Sequence, residues 1–213
     1  MSFAMPSDAN VSQTGVFGQV MYLVAATLGV FTLGAYLGRD LAGGLSLIFF
    51  ILSFVCVFGL NYARNSGGAA VGLLAAMGLF LGLGLGGGID AYTSADPGVV
   101  WQAGAATALF VATLGSLGYM TRSDLSGGYR VLFFLLLGLI VYGLVSLFVS
   151  MPAGNVIYAV VGLGIFGGYT LLDFNRLRGA GSGDAVSIAS GIFLDVLNVF
   201  TFFLQLFGRG ARD

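Results

Sequence analysis

The chain of 213 residues is 58% hydrophobic and 8% charged, with a mean hydropathy of +0.99, whereas a soluble domain carries about 25% charged residues. No water-soluble fold hides that much apolar surface, and the apolar runs are joined by connections too short to hold a domain, so residues 1–213 read as one transmembrane unit. A net charge of -1 without a basic cluster argues against nucleic-acid or polybasic lipid-binding roles.

A membrane-crossing helix needs about 20 mostly apolar residues, and its backbone polar groups must be satisfied within the segment, which favours helices over strands here. Seven such segments are predicted, at about 17–37, 45–62, 69–89, 99–120, 131–151, 155–174 and 186–207. The breaks carry turn chemistry: Gly38-Arg39-Asp40, Arg64-Asn65-Ser66-Gly67-Gly68, Asp96-Pro97-Gly98, Arg122-Ser123-Asp124, Met151-Pro152 and the glycine-rich 179–184.

No basic residue precedes Arg39, so the first segment lacks the positive flank of a cleaved signal peptide and is expected to remain as a span. The triplet Asn10-Val11-Ser12 is a sequon that the orientation below keeps from the glycosylating side. Cys56, the single cysteine, lies in the second segment, excludes an internal disulfide and reads as a small apolar side chain. In the third, Gly78, Gly82 and Gly86 recur every four residues, as Gly164 and Gly168 do in the sixth, a spacing that lets helix backbones approach closely. The same glycines produce two matches to a dinucleotide-binding pattern, Gly82-Gly84-Gly87 and Gly162-Gly164-Gly167. That pattern works only at a strand-to-helix turn, so both are rejected. Trp101 and the tyrosines Tyr92, Tyr119 and Tyr129 fall near span ends and read as interfacial anchors.

Loops kept in the cytoplasm are enriched in basic residues. With seven crossings, the amino-terminal side holds Arg64, Arg122, Arg130, Arg176 and Arg178, and the other side holds Arg39, Arg209 and Arg212. This predicts a cytoplasmic amino terminus; a last segment that re-entered instead of crossing would move Arg209 and Arg212 to the cytoplasmic set.

An acid at the centre of a membrane helix costs about 2.5–3.5 kcal/mol on insertion scales. Asp195 is such an acid, about ten residues into the last segment. Asp195, Asn198 and Gln205 share a helical face, a polar stripe that should face the bundle interior and make the last helix its central element. Asp173 ends the sixth segment at its cytoplasmic edge, with Arg176 three residues on and Arg64 ending the second segment on the same side. Two carboxyls brought close in a low dielectric cannot both ionise easily and titrate as a unit, a proton switch. With both charged, a hard cation such as Ca²⁺ is the natural counter-ion, which makes Asp173 and Asp195 the candidate metal-contacting pair. Proton sensing and cation passage are therefore both open, and compatible.

No enzyme reading competes well. His is absent and the lone Cys is apolar, so the usual general bases, nucleophile pairs and zinc ligands are missing. An intramembrane aspartyl protease uses Tyr-Asp and Gly-x-Gly-Asp contexts, but Asp173 follows Leu172 and Asp195 follows Leu194. No cofactor is required; the expected partners are the lipid bilayer, protons and Ca²⁺.

The stretch Leu171-Leu172-Asp173-Phe174-Asn175, followed by Ala189-Ser190-Gly191-Ile192-Phe193-Leu194-Asp195-Val196-Leu197-Asn198-Val199-Phe200, resembles the signature of the transmembrane Bax inhibitor motif family. The resemblance implies an all-α bundle with a last helix enclosed by six others, and a pH-sensitive Ca²⁺ leak of the prokaryotic plasma-membrane type. It implies a hydrogen-bonded dyad at Asp173 and Asp195, and a latch in which Arg64 pairs with the sixth-helix acid. Departures are Leu172 for the usual Tyr or Phe, Phe193 for the usual Tyr, and a short loop between the acids. A non-conducting regulator of stress or cell death and a proton-coupled small-solute transporter are the alternatives; no convincing internal repeat supports the transporter.

Overall fold

The computed structural model describes residues 8–41, 43–63, 66–146 and 154–208. Seven helices follow one another: α1 (Asp8–Gly38), α2 (Gly43–Tyr62), α3 (Gly67–Ala95), α4 (Pro97–Met120), α5 (Gly128–Ser146), α6 (Gly154–Arg178) and α7 (Ala185–Phe207). Each is long and apolar enough to cross a membrane, so the expected all-α membrane bundle stands. A 3₁₀ turn at Ser182–Asp184 leads into α7.

Helix ends follow local chemistry. The α3–α4 junction is tight because the Asp96 side chain accepts a bond from Gly98 N at 2.8 Å and Pro97 opens α4, where its missing N–H costs nothing. Three helices outrun their apolar cores: α1 begins at Asp8, nine residues before the segment expected from 17, and two others run on past theirs. α3 continues beyond 89 through Asp90 and Tyr92, and α6 continues four residues beyond 174 to Arg178. Asp173 therefore lies inside α6, five residues before its end.

α3 packs on α1 and α2, and α6 packs on α4, α5 and α7. The glycine ladder of α3 serves the first contact: a Cβ at Gly82 would overlap the Phe31 carbonyl, and one at Gly78 would lie 2.8 Å from the Thr27 methyl. Gly34 and Gly38 on α1 face the Leu79 and Leu83 carbonyls in turn, so the two backbones touch. The parallel expectation for α6 needs correcting. Gly168 meets the Leu132 side chain, but nothing lies within 4 Å of a Cβ at Gly164; close approach falls at Gly162, under the Phe202 ring, and at Gly167, under Phe110 and Leu114.

α7 touches α1, α2, α3, α4 and α6. It contributes to three buried apolar clusters, through Ile188, Ile192 and Phe193 in the first, Val199 and Phe202 in the second, and Leu204 in the third. None of its residues is exposed, whereas every other helix has exposed apolar side chains over its described length. Its far end packs Gly208 against Tyr92, near the end of α3, so α7 runs the length of the bundle and does not turn back.

Candidate functional site

Five consecutive residues of α6 are each held by a different neighbour. Leu171 presents its carbonyl to Gly118 of α4, where a Cβ would collide. Leu172 lies over Gly128 at the start of α5, and the Phe174 ring lies over Gly115 of α4. Asn175 staples α6 to the α4–α5 loop: its side-chain amide donates to Thr121 O at 2.8 Å, with Ser123 O at 3.2 Å and Gly118 O at 3.3 Å, and its Oδ1 accepts from Leu125 N at 3.3 Å. These bonds satisfy carbonyls that the end of α4 leaves open.

Asp173, in the middle of that run, is 8% exposed. Its Oδ1 accepts a 2.5 Å hydrogen bond from the Tyr129 hydroxyl at the first turn of α5. Its Oδ2 fits against Gly191 of α7 so closely that a methyl group there would overlap it. Gly191 is one turn before Asp195 on the same face of α7, which brings the second acid to the same α6–α7 seam. Asp195 is 4% exposed, and its Oδ2 is enclosed without a hydrogen-bond partner among the described residues.

Cations near the pair are engaged elsewhere. Arg176 places its guanidinium 3.7 Å from Asp184, and Arg178 donates to Arg122 O at 3.0 Å. Among the described residues neither Asp173 nor Asp195 is in an ion pair. Arg64, the expected latch, lies outside the described residues. The segment leading to it does approach α7: Val57, Leu60 and Asn61 of α2 and Val186, Ser187 and Ser190 of α7 line a cavity of about 210 Å³. Asn198 donates to Leu194 O on its own helix at 2.7 Å, and Gln205 is half-buried further along.

The loop ahead of Tyr129 is built to hold it. Asp124 accepts from Ser126 N at 2.9 Å and Ser126 Oγ at 3.1 Å. These donors, the backbone one first, keep the exposed Asp124 carboxyl below its usual range. Gly128 N and Tyr129 N then bond back to Leu125 O and Ser126 O. A polar recess of about 280 Å³ lies there, lined in part by Tyr129, Asn175, Arg122, Arg176 and Arg178. Tyr129, Asn175 and Gly191 are the site residues that sequence reasoning passed over; Tyr129 was read as an interfacial anchor. A larger groove of about 870 Å³ between α1 and α4 is lined almost wholly by apolar side chains and includes neither acid.

Seven membrane-length helices define an integral membrane protein, and its two buried carboxyl groups among the described residues lie on the last two, α6 and α7. The chain belongs to the family described as Bax1-I, inhibitor of apoptosis-promoting Bax1, whose profile matches residues 13–212. A Helicobacter pylori protein named only as uncharacterized is 27% identical over 97% of this chain and 92% of its own length. A Deinococcus radiodurans protein, likewise named, is 30% identical over 76% of this chain and 72% of its own. An uncharacterized membrane protein of Streptococcus pyogenes is 29% identical over 52% of each chain.

Proposed function

We propose that this protein is a pH-regulated cation leak of a prokaryotic plasma membrane, oriented with its amino terminus in the cytoplasm, that passes Ca²⁺ when the Asp173–Asp195 pair gives up its shared proton. The observation that supports this reading is the burial of Asp173 on α6 and Asp195 on α7 at the seam of the two helices: neither is ion-paired among the described residues, and Asp195 Oδ2 has no hydrogen-bond partner among them. Burying two such charges side by side costs many kcal/mol without compensation, and one shared proton removes most of that cost.

In this reading α7 is the central helix. With the proton in place, α6 and α7 stay closed on each other, and Arg64 supports that state from the end of α2. Loss of the proton leaves two carboxylates that repel and that a hard divalent cation can bridge. Two carboxylates supply at most four of the six to eight oxygens Ca²⁺ prefers, which suits a transit site better than a storage site. Asn198 and Gln205 continue polar lining along α7. No cofactor and no catalytic step is involved.

The test is Ca²⁺ flux into proteoliposomes over a range of pH. Wild-type protein should leak more as pH rises, and Asp195→Asn should flatten that dependence. Flux with no pH dependence that is unchanged in Asp195→Asn would overturn the reading. The family's description favours one alternative, a non-conducting regulator of cell death or stress acting through protein partners. Purified protein that never makes liposomes leak supports that alternative.

A further inference from the structure

We infer that the polar recess at the end of α6 holds the phosphate of an anionic phospholipid, with an acyl chain of that lipid in the apolar groove that adjoins the recess between α5 and α6. Such binding requires neither a leak nor a shared proton.

No run of basic residues marks this place in the sequence. Arg122 follows α4, whereas Arg176 and Arg178 lie in the last turn of α6, and the fold sets all three around one recess of about 280 Å³. Each guanidinium carries five N–H donors in a planar fork that suits phosphate oxygens. Among the described residues, the one hydrogen bond these donors make is from Arg178 to Arg122 O, 56 positions away, and Arg178 Nε is buried without a partner. The Arg122 side chain is in no hydrogen bond or ion pair among the described residues. Arg176 lies 3.7 Å from Asp184, but both side chains are more than 40% exposed, and an ion pair so wet contributes little. Asp124, the carboxylate that lines the recess, turns Oδ1 to Ser126 N and Oδ2 to Ser126 Oγ. The recess therefore holds a surplus of positive charge and of donors, which an anion with several oxygens would satisfy.

The surroundings favour a lipid over a soluble phosphate. A groove of about 540 Å³ shares Asp124 and Leu172 with the recess and follows the α5–α6 seam past Gly128, Leu132, Gly168 and Leu171. α5 packs chiefly on α6, and Val131 on the groove wall is 61% exposed, so the groove opens to the hydrocarbon of the bilayer. From Gly168 to Arg178, α6 rises by roughly 15 Å, which is half of a hydrocarbon core about 30 Å thick. A chain that descends from a phosphate at the arginines thus stays within one leaflet. Basic pockets between membrane helices hold anionic headgroups in this way. The larger groove between α1 and α4 has apolar volume but no charged side chain in its lining, so it lacks the headgroup half of such a site.

Native mass spectrometry of the full chain in detergent, titrated with phosphatidylglycerol, phosphatidylcholine or water-soluble glycerol phosphate, tests the assignment. One phosphatidylglycerol should be retained at concentrations where neither phosphatidylcholine nor glycerol phosphate is. Arg122→Gln removes an exposed side chain that has no bond to lose, so the fold survives, and retention should weaken about fivefold. Arg39→Gln, away from the recess beside Asp40, should leave it unchanged. Equal retention of phosphatidylcholine overturns the anionic headgroup, and glycerol phosphate bound as tightly as the lipid overturns the acyl chain in the groove. An affinity unmoved by Arg122→Gln, or lowered as much by Arg39→Gln, overturns the site.

Discussion

Asp195 is a residue whose importance follows from cost alone, because an acid ten residues into an apolar helix is expensive to insert, and the structure encloses it to 4% exposure. Asp173 gains its environment from small neighbours. Gly191 supplies the notch for its carboxyl, and the prediction is sharp because two effects oppose. Gly191→Ala improves helix propensity by about 1 kcal/mol but forces a methyl onto Asp173 Oδ2, and overpacking costs about 1–3 kcal/mol. The variant should lose thermal stability in detergent and shift the pH profile of flux, whereas Gly72→Ala on α3, with nothing within 4 Å of the new methyl, should hold or gain stability. Neither Gly191 nor Tyr129 was legible beforehand. Among 36 glycines the one beneath a carboxyl has no distinguishing neighbour in the chain. A tyrosine at a span end serves an interface as well as it serves an acid, and only the fold of the α4–α5 loop aims Tyr129 inward.

At the scale of elements, the seven spans were readable because hydropathy and the 20-residue requirement act locally. Their ends were not, since a helix continues past its apolar core wherever its last carbonyls find partners. α6 does so to Arg178, which moves Asp173 from a helix edge into the packed body and makes Asn175 part of the helix rather than of a loop. Asn175→Ala should leave the Leu125 N–H and the Thr121 carbonyl without that partner, at a cost of about 1–3 kcal/mol. Hydrogen exchange is the readout: the Leu125 amide should lose protection while amides in the body of α3 do not. The close packing of α1 and α3 was legible from the glycine period, but the same period in α6 misled at Gly164, because spacing shows that a face is small and not what lies against it.

For the whole molecule, the membrane bundle and the family were legible in the sequence, and the neighbours of Asp173 and Asp195 were left to tertiary structure. α7 contacts α1, α2, α3, α4 and α6, so Asp195 sits on the helix against which most of the bundle packs. Asp173 lies where the ends of α4 and α5 are fastened to α6 by Asn175 and Tyr129. A pair that shares one proton must behave as one unit, and residues acting as a unit are non-additive when removed. The most direct measurement is therefore the pH dependence of Ca²⁺ flux in proteoliposomes for wild type, Asp173→Asn, Asp195→Asn and the double variant. Either single substitution should abolish most of the pH dependence, with the double adding little. Two single variants that each keep part of the pH dependence, with losses that sum in the double, would contradict a shared proton.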